Sequence, residues 1–293
     1  MTVKWQYKIL DENASSSSSY DGFFVKIPEG VAFLYEEQEK YESLVQLNFS
    51  NKGRLLSLTK HRVFENDFED IPIEESLEMT KGIEDCFLFS VDGREYICPG
   101  SSSICVSPEL DAIVSDDSSL DLKHIYAQHV VNPYHYEEDS FEIDDCVISH
   151  KGSFGYQCTS KSTGELMWEK KVKGYLFTEI IKYGEGILFG TAEKGGKLYY
   201  IRLSDGFSIF EIETHGTAHF EIKNGYCYCH EKAKQATLLK INLSDGSIEK
   251  LQLEGKNGID CPVRIIDDTL YTLTFEHLND GQNANPTIYA IQL

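Results

Sequence analysis

The chain has 293 residues with 48 acidic and 27 basic side chains, a formal net charge of −21. A polyanion of this size is repelled by nucleic-acid phosphates and by anionic lipids, so we expect neither nucleic acid nor membrane as a partner. Hydrophobic residues make up 41% of the chain, which is enough for a packed core.

The first ten residues, MTVKWQYKIL, do not have the features of a secretory signal. They lack an apolar stretch of about 7–15 residues and a cleavage site of small residues. No stretch of the chain approaches the roughly 18 apolar residues of a membrane-spanning helix. The sequence therefore predicts a cytoplasmic protein whose eight cysteines are reduced and serve mostly as small buried side chains.

Alternating apolar and polar residues predict β-strands at the N-terminal end. The first strand is 3–9 (VKWQYKI), which contains Trp5. A strand–turn–strand unit then covers 43–56, with Gly53 in its turn. Glycine at such a position supplies the positive φ that a tight hairpin turn requires.

The segment 64–145 is strongly acidic, with 22 acidic and only 3 basic residues and a net charge of −19. The rest of the chain has 26 acidic and 24 basic residues, so nearly all of the net charge belongs to this segment. The strand pattern also fades here. Within the segment, 72–81 (PIEESLEMTK) is compatible with a short helix, because proline suits a first turn and acids suit the positive end of the helix dipole.

Three similar strand–turn–strand units follow, at 154–168 (FGYQCTSKSTGELMW), 197–210 (KLYYIRLSDGFSIF) and 237–251 (TLLKINLSDGSIEKL). Their turn glycines, spaced 42 and 40 residues apart, are Gly164, Gly206 and Gly246. A period of about 40–45 residues with four strands per unit is typical of a β-propeller blade. At this spacing the chain holds seven blades, with six as the alternative.

Shorter strands are predicted at 145–150, 186–192, 225–230, 269–275 and 288–293. The last unit stops where a turn and an outer strand should follow, and the strand 3–9 can supply that outer strand. Trp5 would then take the place that Trp168 has in its own unit. The expected fold is all-β, a single β-propeller domain over 1–293 that is closed by its N-terminal strand, which removes an open sheet edge.

Thr163, Gly164 and Trp168 form a Thr-Gly-x-x-x-Trp sequence that resembles the repeat of the quinoprotein-like (PQQ-repeat, WD40-like) β-propellers. The resemblance is good in this unit and partial in about four others, over roughly 141 to the end plus 1–60. In that family the tryptophan docks neighbouring blades, so the resemblance implies a fold and not a reaction. The family's quinone-dependent dehydrogenases are much longer and carry adjacent cysteines. This chain has no Cys-Cys pair, so the resemblance implies a non-enzymatic member without a quinone cofactor.

Metal-ligating residue types occur together at Cys227, Cys229 and His230. In a strand, the two cysteines share one face and His230 lies on the other. A structural zinc site needs four ligands, and no second pair stands at a known spacing unless Cys261 or another histidine folds nearby. We therefore expect core cysteines at these positions.

Other candidate sites lack the spacing that their chemistry requires. His124, His129 and His135 are five and six residues apart, which fits no standard ligand motif, and 116–121 lacks the ligand order of an EF-hand loop. No nucleophile elbow or His-Glu-x-x-His sequence is present. We expect no metal and no cofactor, and the sequence leaves enzymatic activity open while favouring its absence.

The acidic segment is the expected place of function, because acidic side chains attract a basic partner and aromatic side chains are favoured at binding hot spots. The candidate partner-binding residues are Glu74, Glu75, Asp116, Asp117, Tyr134, His135, Tyr136, Glu137, Glu138 and Asp139. The predicted function is a noncatalytic scaffold, of immunity or adaptor type, that binds a basic protein through 64–145. Two alternatives remain: the acids only keep the protein soluble, or the central channel binds a small ligand or catalyses a reaction.

Overall fold

The computed structural model describes residues 1–9, 22–37, 43–62, 86–91, 94–99, 140–151, 155–176, 180–192, 195–217, 219–257, 261–277 and 283–293. Every regular element within these ranges is a β-strand, so the all-β expectation is confirmed. Over the same ranges, the structure shows no helix with the length and apolar character needed to cross a membrane. The predicted helix 72–81 lies outside the described residues.

Two antiparallel sheets come from the N-terminal part of the chain. The first has the order β2-β3-β4-β5 and consists of β2 (Gly22–Ile27), β3 (Gly30–Glu37), β4 (Ser43–Ser50) and β5 (Leu55–Arg62). The second pairs β6 (Cys86–Val91) with β7 (Arg94–Pro99).

Three further sheets follow in chain order. The first has the order β11-β10-β9-β8, with β8 (Phe141–Ile143), β9 (Cys146–His150), β10 (Gly155–Ser160) and β11 (Leu166–Lys171). The next has the order β12-β14-β15-β16, with β13 also paired to β14, and contains β12 (Tyr175–Leu176), β13 (Ile181–Tyr183), β14 (Gly186–Ala192), β15 (Lys197–Arg202) and β16 (Ser208–Glu213). The third has the order β17-β18-β19-β20, with β17 (Phe220–Lys223), β18 (Tyr226–Glu231), β19 (Thr237–Asn242) and β20 (Ile248–Gln252).

The last four-stranded sheet combines the two ends of the chain in the order β1-β23-β22-β21. Its strands are β1 (Thr2–Lys8), β21 (Val263–Ile266), β22 (Thr269–His277) and β23 (Asn283–Gln292). The N-terminal strand thus occupies the outer place beside the last strand, as its sequence predicts. The closure of a ring and the number of blades stay predictions.

The chain divides into two compact units, 1–2 with 133–265 and 272–275, and 3–132 with 266–271 and 276–293. In the first unit, the central strands β14 and β15 alternate between two hydrophobic cores. Ile187 and Tyr199 belong to the core that also contains Trp168, whereas Leu188 and Tyr200 belong to the core that contains Cys227. Because both faces of these strands are buried, their sequences are nearly continuous apolar runs.

The three glycine turns join the two outer strands of their sheets with the same geometry. Gly164, Gly206 and Gly246 have φ values of 72°, 68° and 72°. Each glycine N–H donates to the carbonyl four residues earlier, at 2.7, 3.0 and 2.8 Å. The turn at Gly53 is one residue shorter, because Gly53 N–H donates to the carbonyl of Ser50 at 2.9 Å.

Two of these turns lie against a tryptophan of an outer strand. Trp168, on β11, packs so closely on Gly206 that a Cβ there would lie 2.8 Å from the indole. The Trp168 indole N–H donates to the carbonyl of Leu203 in the same turn at 2.7 Å. Trp5 lies against Gly53 in the same way, at 2.5 Å from such a Cβ. The Trp5 indole N–H has no acceptor among the described residues.

The innermost strands are joined to their neighbours by two-residue turns that the sequence analysis did not identify. The first turn residue has a positive φ at Asp144 (54°), Gly184 (54°), Asn224 (51°) and Asp267 (52°). Asn, Asp and Gly tolerate this conformation, which matches the twist of a tight hairpin. These turns add the fourth strand to each sheet.

The structure corrects the expectation that all cysteines are reduced. Cys146, on β9, and Cys158, on β10, form a disulfide with a Cα–Cα distance of 5.8 Å. The register pairs Cys158 with Ile148, two residues from Cys146, so the two side chains share one face of adjacent strands. Three other cysteines, Cys227, Cys229 and Cys261, are free and buried.

Candidate functional site

The partner-binding residues predicted from the sequence lie outside the described residues: Glu74, Glu75, Asp116, Asp117, Tyr134, His135, Tyr136, Glu137, Glu138 and Asp139. The same holds for His124 and His129. These candidate residues of the acidic segment are therefore characterised by sequence alone. Among the described residues, a surface cleft and a buried histidine each bring polar or titratable side chains together, and both belong to the first unit.

The first place is a cleft of about 470 Å³ formed by three hairpin turns. The turn between β13 and β14 contributes Tyr183 and Glu185, and the turn between β17 and β18 contributes Asn224 and Tyr226. Tyr200 on β15 and Asn242 on β19 complete the polar lining. We call this site the tyrosine cleft.

The tyrosines of the cleft are held by packing and by one hydrogen bond. The Tyr200 hydroxyl donates to the carbonyl of Tyr183 at 2.9 Å, and the two rings meet edge to face with centroids 6.1 Å apart. Burial raises the pKa of Tyr200, and the nearby Glu185 carboxylate raises it further. Tyr200 therefore stays a neutral phenol at physiological pH.

Glu185 gives the cleft its negative charge. Its side chain is 68% exposed, and its Oε1 lies 3.6 Å from Arg202 Nε. Arg202 donates from Nη1 to Asp205 at 3.0 Å, while its buried Nε has no hydrogen-bond partner among the described residues. The guanidinium of Arg202 thus interacts with two carboxylates, those of Glu185 and Asp205.

A second cation lies on the ring of Tyr226. Lys240 Nζ is 4.5 Å from the ring centroid and 3.3 Å from Glu249 Oε2. No histidine, cysteine, lysine or arginine occurs among the described residues that line the cleft. The lining therefore suits recognition by aromatic faces, amides and one carboxylate better than nucleophilic or acid–base chemistry.

The second place is a buried histidine at the end of β18. His230 is 1% exposed, and its Nε2 lies 2.6 Å from Thr272 Oγ1. Since the Thr272 hydroxyl donates to the Pro262 carbonyl at 2.7 Å, it can only accept from His230. The neutral imidazole therefore carries its proton on Nε2, and the buried Nδ1 has no partner within the described part of the chain.

The pKa of His230 is lowered to about 4, mainly by burial and to a smaller extent by the nearby His219. The pKa of His219 is itself lowered to about 4 by desolvation. Both imidazoles are therefore neutral near pH 7; His230 is fully buried and His219 is partly buried.

The strand that carries His230 has the faces expected from its sequence. Cys227 and Cys229 belong to one core cluster, and His230 on the opposite face reaches Thr272. Burial raises the pKa of the Cys227 thiol well above its usual range, so this thiol is protonated and unreactive. No group of three or more potential metal ligands lies together within the described ranges.

Sequence reasoning missed the tyrosine cleft, because its residues come from four strands and turns that are far apart in the chain. One signal was available: Asn224 and Gly225 form the two-residue turn sequence that is most typical of a hairpin. Placing this turn in the repeat would have put Tyr183, Glu185 and Tyr226 at the same end of adjacent sheets.

Comparisons with known proteins give distant structural likenesses. No protein family matches the chain, and no curated protein matches it. The crystal structure of BamB from Moraxella catarrhalis is similar over 92% of this chain and 71% of that chain, with 12% identity and a TM-score of 0.36. The crystal structure of the computationally designed Ika4 protein is similar over 53% of this chain and 89% of that chain, with 10% identity and a TM-score of 0.35. These likenesses are too slight to support an argument about function.

Proposed function

We propose that this protein is a noncatalytic β-propeller scaffold that binds a basic protein through the acidic segment 64–145. The observation that carries the proposal is the segregation of charge. A net charge of −19 out of −21 lies in this one segment, and the remaining chain is close to neutral. An acidic coat that served only solubility would need no such segregation.

The sheets support the scaffold half of the proposal. Four-stranded antiparallel sheets are the units from which propeller blades are built, and four of the described sheets have a simple four-strand order. The contacts of Trp168 with Gly206 and of Trp5 with Gly53 repeat one way of docking an outer strand on a turn. We propose seven blades, with six as the alternative, and closure by β1. Such a rigid frame leaves loops free to carry binding residues.

The charge supports the choice of partner. A segment with 22 acidic residues creates a field that speeds the encounter with a positively charged protein and disfavours acidic competitors. A scaffold of this kind acts by occupying or positioning its partner, as immunity and adaptor proteins do. Binding is expected to weaken with salt, since exposed charges beyond about 8–10 Å are screened at physiological ionic strength.

The proposal is tested by capture from an extract with the full-length protein and two charge variants. In the first variant, six acids of the segment become amides: Glu74, Glu75, Asp116, Asp117, Glu137 and Glu138. In the matched control, six exposed acids outside the segment become amides: Glu29, Glu165, Glu169, Glu213, Glu254 and Glu276. Both variants have the same net charge.

The wild type and the control variant should retain one basic protein that the segment variant loses, and salt should release it. Equal recovery by all three proteins would show that the segment is not the binding face. Recovery of an acidic protein would contradict the choice of partner.

A further inference from the structure

We propose that the tyrosine cleft holds the guanidinium group of an arginine side chain. This inference deepens the proposed function and rests on it for the source of the arginine, which is the basic partner protein. The ligand chemistry itself follows from the cleft.

The cleft has the size and lining of a site for one side chain. Its volume of about 470 Å³ lies within the range of about 300–1,000 Å³ that is common for small-ligand pockets. Tyr183, Tyr200 and Tyr226 supply aromatic surface, and Asn224 and Asn242 supply amide groups. The faces of aromatic rings carry partial negative charge and attract cations.

Two aromatic rings, one of which lines the cleft, already hold cations from the same chain. Lys240 Nζ lies 4.5 Å from the centroid of Tyr226, and Arg202 Cζ lies 5.3 Å from the centroid of Phe207. These contacts show that the local arrangement of rings and carboxylates accommodates positive charge.

One exposed carboxylate of the cleft keeps free hydrogen-bonding capacity. Lys240 is paired with Glu249 at 3.3 Å, and the same carboxylate accepts from the Met1 ammonium group at 2.6 Å. Arg202 is shared between Asp205 at 3.0 Å and Glu185 at 3.6 Å. Because the hydrogen bond of Arg202 goes to Asp205, the exposed carboxylate of Glu185 retains capacity to accept hydrogen bonds from a second cation.

The same features select against other ligands. An anion would meet the exposed carboxylate of Glu185. Between the two cationic side chains, arginine fits better than lysine, since a planar guanidinium can stack on tyrosine and form two parallel hydrogen bonds with one carboxylate.

The test uses the full-length protein and small probes, with binding measured by NMR titration. N-acetyl-arginine amide is compared with N-acetyl-citrulline amide, which has nearly the same shape without the charge. The arginine probe should bind at least about tenfold more tightly, because only it gains the cation–aromatic and charge-assisted contacts. Equal affinity for both probes would overturn the proposal.

Substitutions then locate the binding. Glu185→Gln should weaken the arginine probe about fivefold, whereas the matched Glu165→Gln, at an exposed glutamate in another turn, should leave its affinity unchanged. Tyr226→Phe keeps the ring and should keep binding, and Tyr226→Leu should lose it. If both glutamate variants weaken binding equally, the probe binds to general negative charge and the cleft is not its site.

Failure of this inference can be told apart from failure of the proposed function. The probe titration needs no partner protein, and the capture experiment changes residues outside the cleft. If the partner is captured but the two probes bind equally, the inference about the cleft fails and the proposed function stands. A preference for arginine without segment-dependent capture would leave the cleft as a site and remove the acidic segment as the binding face.

Discussion

Acidification should destabilise the protein through His230, and the structure gives the size of the effect. The buried imidazole is neutral in the folded protein, with its pKa lowered to about 4, whereas an exposed histidine in the unfolded chain has a pKa near 6.5. Between these values the unfolded chain binds the proton and the folded protein does not. The stabilisation conferred by the neutral imidazole is therefore fully present above about pH 6.5 and is lost as the pH falls towards 4.

The difference of roughly 2.5 between the two pKa values corresponds to about 3 kcal/mol of stabilisation by the neutral imidazole, of which about 2 kcal/mol is lost by pH 5. Other groups also titrate in this range, so the prediction concerns a comparison with His230→Gln, which can still donate to Thr272. The free energy of unfolding is measured by urea denaturation at pH 7 and pH 5. Between pH 7 and pH 5, the free energy of unfolding of the wild type should fall by about 2 kcal/mol more than that of the variant.

A matched control replaces an exposed histidine of the same unit. His215 has a φ of 56°, so His215→Asn preserves a residue that tolerates this backbone conformation. This variant should show the same pH dependence as the wild type. If the free energy of unfolding of His230→Gln falls between pH 7 and pH 5 by as much as that of the wild type, the reasoning about the buried neutral imidazole is refuted.

Three further predictions concern the turns, the tryptophans and the disulfide. Gly164→Ala should lower the free energy of unfolding by about 1 kcal/mol, and Gly206→Ala by at least about 1 kcal/mol more, because only the latter methyl group meets Trp168; equal losses in urea denaturation would contradict this packing. Trp168→Phe should lower the free energy of unfolding by about 1–2 kcal/mol more than Trp5→Phe. Among the described residues, the Trp168 indole N–H has an acceptor and the Trp5 indole N–H has none. A larger loss of stability for Trp5→Phe would contradict this reasoning. In denaturant, which exposes these buried cysteines, Cys146 and Cys158 should resist alkylation until a reductant is added. Reduction should cost about 3 kcal/mol for this short loop. Alkylation of both in denaturant without reductant, detected by mass spectrometry, would show that the bond is absent.

The outer hairpins could be predicted from the sequence because two independent signals coincide there. Strands such as β15 and β19 are mostly apolar runs bounded by turn residues, and Gly206 and Gly246 stand where the backbone needs a positive φ. The innermost strands were missed because elements of three or four residues are too short to show alternation. β13 has three residues and β17 has four.

The disulfide shows how an argument about compartment can override one about geometry. Cys146 and Cys158 lie on strands whose pairing the repeat already predicts, and the register brings them to one face. The expectation of reduced cysteines came from the predicted cytoplasmic location, where disulfides are rare. The cytoplasmic location stays a prediction, and the alkylation experiment bears on it directly.

Of the two candidate sites, the acidic segment could be predicted from the sequence and the tyrosine cleft could not. The charge of the acidic segment can be counted along the chain, so a binding face could be predicted from sequence. The tyrosine cleft could not, because Tyr183, Tyr200 and Tyr226 are each an ordinary strand residue until neighbouring sheets place them around one space. Convergence of side chains depends on which sheets are neighbours, and periodicity alone does not specify that.

The central claim, that the segment 64–145 binds a basic protein, is tested most directly by the salt dependence of the affinity. The dissociation constant of the captured partner is measured over a range of salt concentrations for the wild type, the six-acid segment variant and the control variant of equal net charge. The affinity of the wild type and of the control should fall steeply with salt, and the segment variant should bind weakly with a flatter dependence. The same steep dependence in all three proteins would contradict the claim.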